Sequence, residues 1–173
     1  MAYTLIETIT VGSGGASSID FTNIPQEAGA DLKLVFSGRS TNTGATGFVN
    51  VELNGDQNGN YDYLRLRGDG SAVSSNWVAT KYRLEIGLMP AGAATSDTFG
   101  SCETLISNYT SSTAKSIITN TVTENNATEA FQEFVTNIWN GGALTSMSIS
   151  TASNIEEHST ASLYVVTTAD ASG

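Results

Sequence analysis

Apolar and polar residues alternate along this chain in short runs, each closed by a cluster of Gly, Ser, Thr or Asn. Thr4-Leu5-Ile6-Glu7-Thr8-Ile9-Thr10-Val11 opens it, and Ser162-Leu163-Tyr164-Val165-Val166 nearly closes it. A period of two puts every second side chain on one face, which is the signature of a half-buried strand. Strands are predicted at Tyr3–Val11, Ser17–Phe21, Leu32–Arg39, Phe48–Leu53, Tyr61–Leu66, Lys81–Leu88, Phe99–Ile106, Lys115–Val122, Leu144–Thr151 and Ala161–Thr167. Asn54-Gly55 after Leu53 is a hairpin signal. In Tyr61–Leu66 the apolar phase passes from Tyr61 and Tyr63 to Leu64 and Leu66, a shift that predicts a bulge. Glu129–Trp139 fits two templates. Ala130, Phe131, Phe134, Val135 and Ile138 make a helical stripe with Asn126 or Thr128 as N-cap. Phe131, Val135 and Trp139 equally make one face of a buried strand, and the β surroundings favour that reading.

About ten such strands at regular spacing predict an all-β fold: one antiparallel β-sandwich of jelly-roll type over residues 1–173. The tail 168–173 is small and polar and is expected to be loose. At 173 residues the chain is long enough for a substantial core. Charged residues are only 14 % of it, against roughly 25 % in ordinary globular domains. The balance is Ser, Thr, Asn and Gly, which suits strands and turns.

Seven Lys and Arg face seventeen Asp and Glu, a net charge of −10. That excludes a nucleic-acid partner, which needs clustered cations. No run approaches the ~18 apolar residues of a membrane helix, so no membrane association is expected. The first residues have no basic region followed by an apolar core, so synthesis and folding in a host cytoplasm are expected. Cys102 is the sole cysteine and His158 the sole histidine. Without a cation beside it, Cys102 reads as a buried strand residue.

Candidate chemistry is sparse. Asp56, Asn58, Asn60 and Asp62 place oxygens at alternate positions, as a calcium loop begins. The EF-hand pattern then fails, because Tyr61 stands where Gly is needed and Arg67 where the bidentate Glu belongs. A looser Ca²⁺ site and a plain solvated turn both remain open. Arg67-Gly68-Asp69 reads as a turn. Glu156-Glu157-His158 reads as an exposed connection, although Glu156 and His158 could share a face. Asn108-Tyr109-Thr110 and Asn126-Ala127-Thr128 read as polar loops. Trp77 and Trp139, with Tyr61, Tyr63 and Tyr82, could stack on sugars or pack the core. Glu85, Glu103, Glu124 and Glu133 could supply a glycosidase pair only by sharing a cleft, and nothing in the sequence pairs them. No nucleophile motif, phosphate loop or cofactor motif is present, so no enzyme activity and no cofactor are expected.

Several segments together resemble a family of virion structural proteins of tailed bacteriophages, of a type common in marine phages. They are Tyr3-Thr4-Leu5-Ile6, Val11-Gly12-Ser13-Gly14-Gly15-Ala16-Ser17-Ser18-Ile19, Phe21-Thr22-Asn23-Ile24-Pro25 and Asp31-Leu32-Lys33-Leu34. Further on come Asn54-Gly55-Asp56, Asn108-Tyr109-Thr110-Ser111-Ser112-Thr113, Val122-Thr123-Glu124-Asn125-Asn126-Ala127 and Ser159-Thr160-Ala161-Ser162-Leu163-Tyr164. They span nearly the whole chain, in order. Members tend to end in Leu-Tyr-Gly-Ile, whereas this chain has Leu163-Tyr164-Val165-Val166 and continues.

The resemblance implies a virion component. Compact length, acidity and the lack of a fibre repeat point to a capsid decoration (cement) protein, a homotrimer on the capsid surface with the major capsid protein as partner. The first strand, residues 1–11 with Tyr3, Leu5 and Ile6, is the candidate for pairing with another chain's edge; an ordinary edge strand of its own sandwich is the other reading. The rival function is a tail-associated receptor-binding protein that grips glycans through Trp77, Trp139 or the Asp56–Asp62 loop.

Overall fold

A computed structural model describes residues 1–124 and 130–167. Its twelve strands are β1 (Ala2–Thr10), β2 (Ala16–Phe21), β3 (Asp31–Gly38), β4 (Thr46–Leu53), β5 (Tyr61–Gly68), β6 (Val73–Lys81), β7 (Leu84–Pro90), β8 (Gly100–Ile106), β9 (Lys115–Glu124), β10 (Ala130–Trp139), β11 (Met147–Ile155) and β12 (Thr160–Thr167). Among the described residues there is no helix. Two antiparallel sheets face each other, one of eight strands in the order β1-β12-β3-β8-β9-β10-β5-β6, the other of four in the order β2-β11-β4-β7. The chain crosses from sheet to sheet, with β5-β6 and β8-β9-β10 as the runs that stay in one sheet. The fold is the expected all-β sandwich of jelly-roll type.

Alternation builds the core as predicted where β1, β12, β3 and β8 cover the small sheet. Leu32, Leu34 and Phe36 of β3 and Ala161, Leu163 and Val165 of β12 point inward against Ile19, Phe21, Val49, Val51, Leu53, Met147 and Ile149. Cys102 is buried in this layer, and burial pushes its thiol up to about 11.

The other half inverts the rule. On β9 the inward residues include Thr119, Thr121 and Thr123, while Ile118 and Val122 face solvent. A threonine packs on a pleated surface much as valine does, provided its hydroxyl is satisfied. Thr104 and Thr119 hydroxyls lie 2.8 Å apart, and Thr121 donates to the Ile86 carbonyl at 2.6 Å. The sheets approach closely here. A Cβ on Gly87, whose φ is +113°, would sit 2.6 Å from Thr121 Oγ1, so β7 needs glycine at this crossing.

One open reading is decided as favoured, and three sequence expectations are corrected. First, of the segment read two ways, Ala130–Trp139 is strand β10, with Phe131, Val135 and Trp139 on the inner face as the strand reading had it; the helix reading fails because both edges of β10 are taken, by β9 and β5. Glu129, the proposed N-caps Asn126 and Thr128, the polar loop Asn126-Ala127-Thr128 and the tail 168–173 lie outside the described residues. Second, Lys81–Leu88 is not one strand. β6 ends at Lys81, Tyr82 and Arg83 carry the chain across, and β7 begins at Leu84 in the other sheet. Third, Asn54-Gly55 turns the chain without forming a hairpin. Its φ values of 54° and 67° and the Asp56 N–H to Leu53 carbonyl bond (3.0 Å) are those of a tight turn, but β4 and β5 belong to different sheets. The Asn54 side chain instead holds the β10–β11 connection: its amide donates to the Ala143 carbonyl at 2.8 Å, and its oxygen accepts from the backbone of Thr145 and Ser146. Fourth, β5 keeps one phase throughout. Tyr63, Arg65 and Arg67 point inward while Leu64 and Leu66 point out. The bulge near Tyr61–Tyr63 is real, but the extra residue sits in β6, where Thr80 has a φ of 59°.

Candidate functional site

The Asp56 loop is a structural keystone. One carboxylate oxygen accepts from the backbone and side-chain N–H groups of Asn58 (both 3.0 Å), the other from Asn60 (2.9 Å) and from Trp139 Nε1 (2.9 Å). Burial pushes Asp56 up, but these donors outweigh it and hold its carboxyl below the usual range. Asp62 accepts the Thr80 N–H at 2.8 Å. Asn58 and Asn60 thus turn donors, not oxygens, toward the loop's centre. No group of three or more Asp, Glu, His or Cys able to hold a metal occurs among the described residues. The candidate Ca²⁺ loop of Asp56, Asn58, Asn60 and Asp62 is thus held by hydrogen bonds among its own side chains and to Thr80, the arrangement of the turn reading.

Adding millimolar Ca²⁺ should leave the thermal midpoint unchanged. Asp56→Ala should cost about 1–3 kcal/mol by orphaning the buried indole N–H, read in urea unfolding. Because the carboxyl's folded pKa is depressed, its contribution is present above the unfolded value near 3.9. It is lost as pH falls through the folded one.

The two tryptophans part company. Trp139 is 1 % exposed, stacked on Tyr61 with ring centroids 6.3 Å apart, and cannot meet a sugar. Trp77 is 66 % exposed on β6.

It belongs to a larger surface. Cross-strand partners share a face, and the register aligns Ile118 of β9, Thr136 of β10, Leu64 of β5 and Trp77 of β6 in one row. The next row is Asn120, Phe134, Leu66 and Ser75. Ile138 and Val122 flank the two. Ile118, Val122, Ile138, Leu64, Leu66 and Trp77 are each 39–66 % exposed, and neither row contains a charged residue. Sequence reading missed this face because it assumed that the apolar side of each strand points inward.

The first strand takes its partner from its own chain: β1 pairs antiparallel with β12 along its length. The register shifts between Leu5 and Glu7, leaving Ile6 as the extra residue, and Ile6 packs against the core. Tyr3 and Leu5 remain exposed on the outer face. Of the three proposed interface residues, Ile6 is therefore engaged at home, and its bulge blunts the free edge.

On the opposite side of β5 the eight-stranded sheet overhangs the edge of the small one and makes a groove. Its floor is Phe48 and Asn50 of β4 with Glu85 of β7, and its wall is Tyr63 and Arg65 of β5 with Lys81 of β6. Gln57, Tyr82 and Arg83 close one end. The groove comprises two adjoining recesses of about 390 and 610 Å³.

Behind the wall lies an ion network. Glu133, wholly buried, accepts from Arg67 Nε at 2.7 Å and from the Leu88 N–H at 2.7 Å, and lies 3.6 Å from Arg65 Nε. Arg65 also pairs with Glu85. Burial pushes the Glu85 carboxyl up, Arg65 opposes that, and Glu133 adds to it. The other carboxylates considered from sequence lie elsewhere. Glu103 pairs with Lys33 at 3.0 Å, and Glu124 accepts from Thr95 and Thr98. Glu156 binds buried Arg39 at 2.7 Å, and His158 sits in a turn with φ 71°. In Arg67-Gly68-Asp69 the arginine turns onto Glu133 and Asp69 caps its own turn through Ser71 and Ala72, as the turn reading expected.

No protein-family model matches the chain, and no curated protein matches it. Among solved structures it is similar to galectin LEC-6 of Caenorhabditis elegans, at 14 % identity over 90 % of this chain and 94 % of that one, with a TM-score of 0.32.

Proposed function

We propose that this chain is a non-catalytic virion structural protein of a tailed bacteriophage, a decoration protein that assembles as a trimer and sits on the major capsid protein. The phage-type segments in the sequence support the particle. The observation that supports self-assembly is the apolar face of β9, β10, β5 and β6, whose two central rows carry no charge. On a chain of net charge −10, like-charged copies repel wherever acidic surfaces meet. A face whose central rows hold Leu, Ile, Phe and Trp and no charge is where copies can approach with least of that cost and bury apolar area. A protein that binds only the assembled shell stabilises the shell by mass action.

Imaging of the particle by electron cryomicroscopy tests this. Density for the sandwich at every junction between capsomers is the expected result. A few copies confined to the tail tip would replace this reading with the receptor-binding one, which has already lost Trp139 to the core.

A further inference from the structure

We propose that the groove between the small sheet and the overhanging β5–β6 ribbon binds an anionic saccharide, one bearing carboxylate or sulfate groups. Sugars are held by flat apolar plates against their ring faces and by planar polar side chains along their hydroxyl edges. The groove supplies both. Tyr82 (63 % exposed) and Phe48 (41 % exposed) offer rings, while Tyr63 is buried and backs the wall; Asn50 offers a whole amide, and Gln57 what its 2.6 Å bond to Glu52 leaves free. Its recesses fall in the ~300–1,000 Å³ range of small-ligand sites, and it is open along its length, as a chain-like ligand requires.

The charge distribution selects an anion. Of the chain's seven Lys and Arg, four (Arg65, Arg67, Lys81 and Arg83) fall between residues 65 and 83. Arg65 and Arg67 are neutralised by Glu85 and Glu133, and Arg83 lies 3.4 Å from Glu52. Lys81 has no carboxylate partner among the described residues, and its ammonium lies 6.0 Å from the Tyr63 ring centroid. Lys81 is thus the groove's cation without a partner, beside exposed Tyr82, and the Glu85 carboxylate on the floor is taken up by Arg65, which leaves a place for a sugar acid or sulfate. The clamp of Glu133 and Glu85 on Arg65 keeps the wall rigid before any ligand arrives.

Leu64 and Leu66 leave β5 on the outer face while Tyr63 and Arg65 leave it on the inner one. The groove therefore stays open whether or not the outer face is covered, and this inference does not depend on the particle assigned above.

The test is calorimetric titration of the full chain, in 0.15 M salt, with three probes: a heparin-derived hexasaccharide, an oligogalacturonate of the same length, and a neutral cello-oligosaccharide. Binding of the first or second, with the third at least tenfold weaker, is expected; binding of the oligogalacturonate shows that carboxylate suffices, and binding of the heparin fragment alone shows that sulfate is required. Lys81→Glu and Tyr82→Ala, both at exposed positions, should each weaken that binding by tenfold or more while leaving the melting temperature unchanged. No binding of either anionic probe, equal binding of the neutral one, or affinity untouched by both substitutions would overturn the proposal.

Discussion

Glu133→Ala should lower stability by about 3–5 kcal/mol, the cost of breaking a buried ion pair from one side. For a chain of this size that is a fall in melting temperature of roughly 6–20 °C. The reason is the arithmetic of the network. Two arginines, Arg65 and Arg67, share two carboxylates, Glu85 and Glu133, and the set is neutral as it stands. Removing Glu133 leaves a guanidinium charge without its partner, and it also orphans the Leu88 N–H that holds β7 against β10. Arg67 stays close to the rings of Phe48 and Phe131, but cation–π contacts are worth only ~0.5–2 kcal/mol. Replacing Arg67 and Glu133 together by methionines separates the terms. If the loss comes from the uncompensated charge, the double variant should recover most of it, because a well-packed apolar pair often matches a buried ionic one. Equal losses in the single and double variants would show that Glu133 works through the Leu88 bond alone.

That network also marks the limit of what the sequence discloses. The sandwich was legible because period-two alternation is a local property, and in β3 and β12 it lines the core as read. β10 was legible as a strand from Phe131, Val135 and Trp139 in phase. What failed was the assumption that the apolar phase faces inward. On β5 the inward phase is Tyr61, Tyr63, Arg65, Arg67, and on β9 it is threonine. Both are held in by partners distant in sequence: Glu133 lies 66 residues from Arg67, and Ile86 lies 35 from Thr121. A signal was present. Arg65 and Arg67 keep the spacing of Tyr61 and Tyr63, and Glu133 keeps that of Phe131 and Val135, so all could be placed inward and paired.

The strand β6 left a weaker trace, since Ser74-Ser75-Asn76 looks like a loop and only its pairing with β5 makes it a strand. Ligand geometry was the least legible. Alternating Asp and Asn specify a loop rich in both donors and acceptors, and only folding shows that the amide donors turn onto Asp56.

Leu64→Asp combined with Trp77→Asp should convert the proposed trimer to a monomer, read as a threefold fall in mass by multi-angle light scattering. Trp77 keeps 66 % of its surface in water and Leu64 41 %. A tryptophan carries ~150–250 Å² of buriable surface. Covering two-thirds of that at ~25 cal/mol per Å² gives about 3 kcal/mol per copy before the costs of association. Its loss alone weakens assembly by about a hundredfold. The two aspartates then place like charges in the middle of a face that has none in either of its central rows. With a screening length of about 8 Å in physiological salt, charges that close still repel. Because both side chains point away from the core, the circular dichroism spectrum and melting temperature of the isolated subunit should hold. Trp77→Ala should give an intermediate result, apolar loss without repulsion. A wild-type protein that is monomeric at tens of micromolar, or a double variant that keeps its trimer mass, would remove this face from the assembly and leave the exposed row of Ile118, Leu64 and Trp77 to another partner.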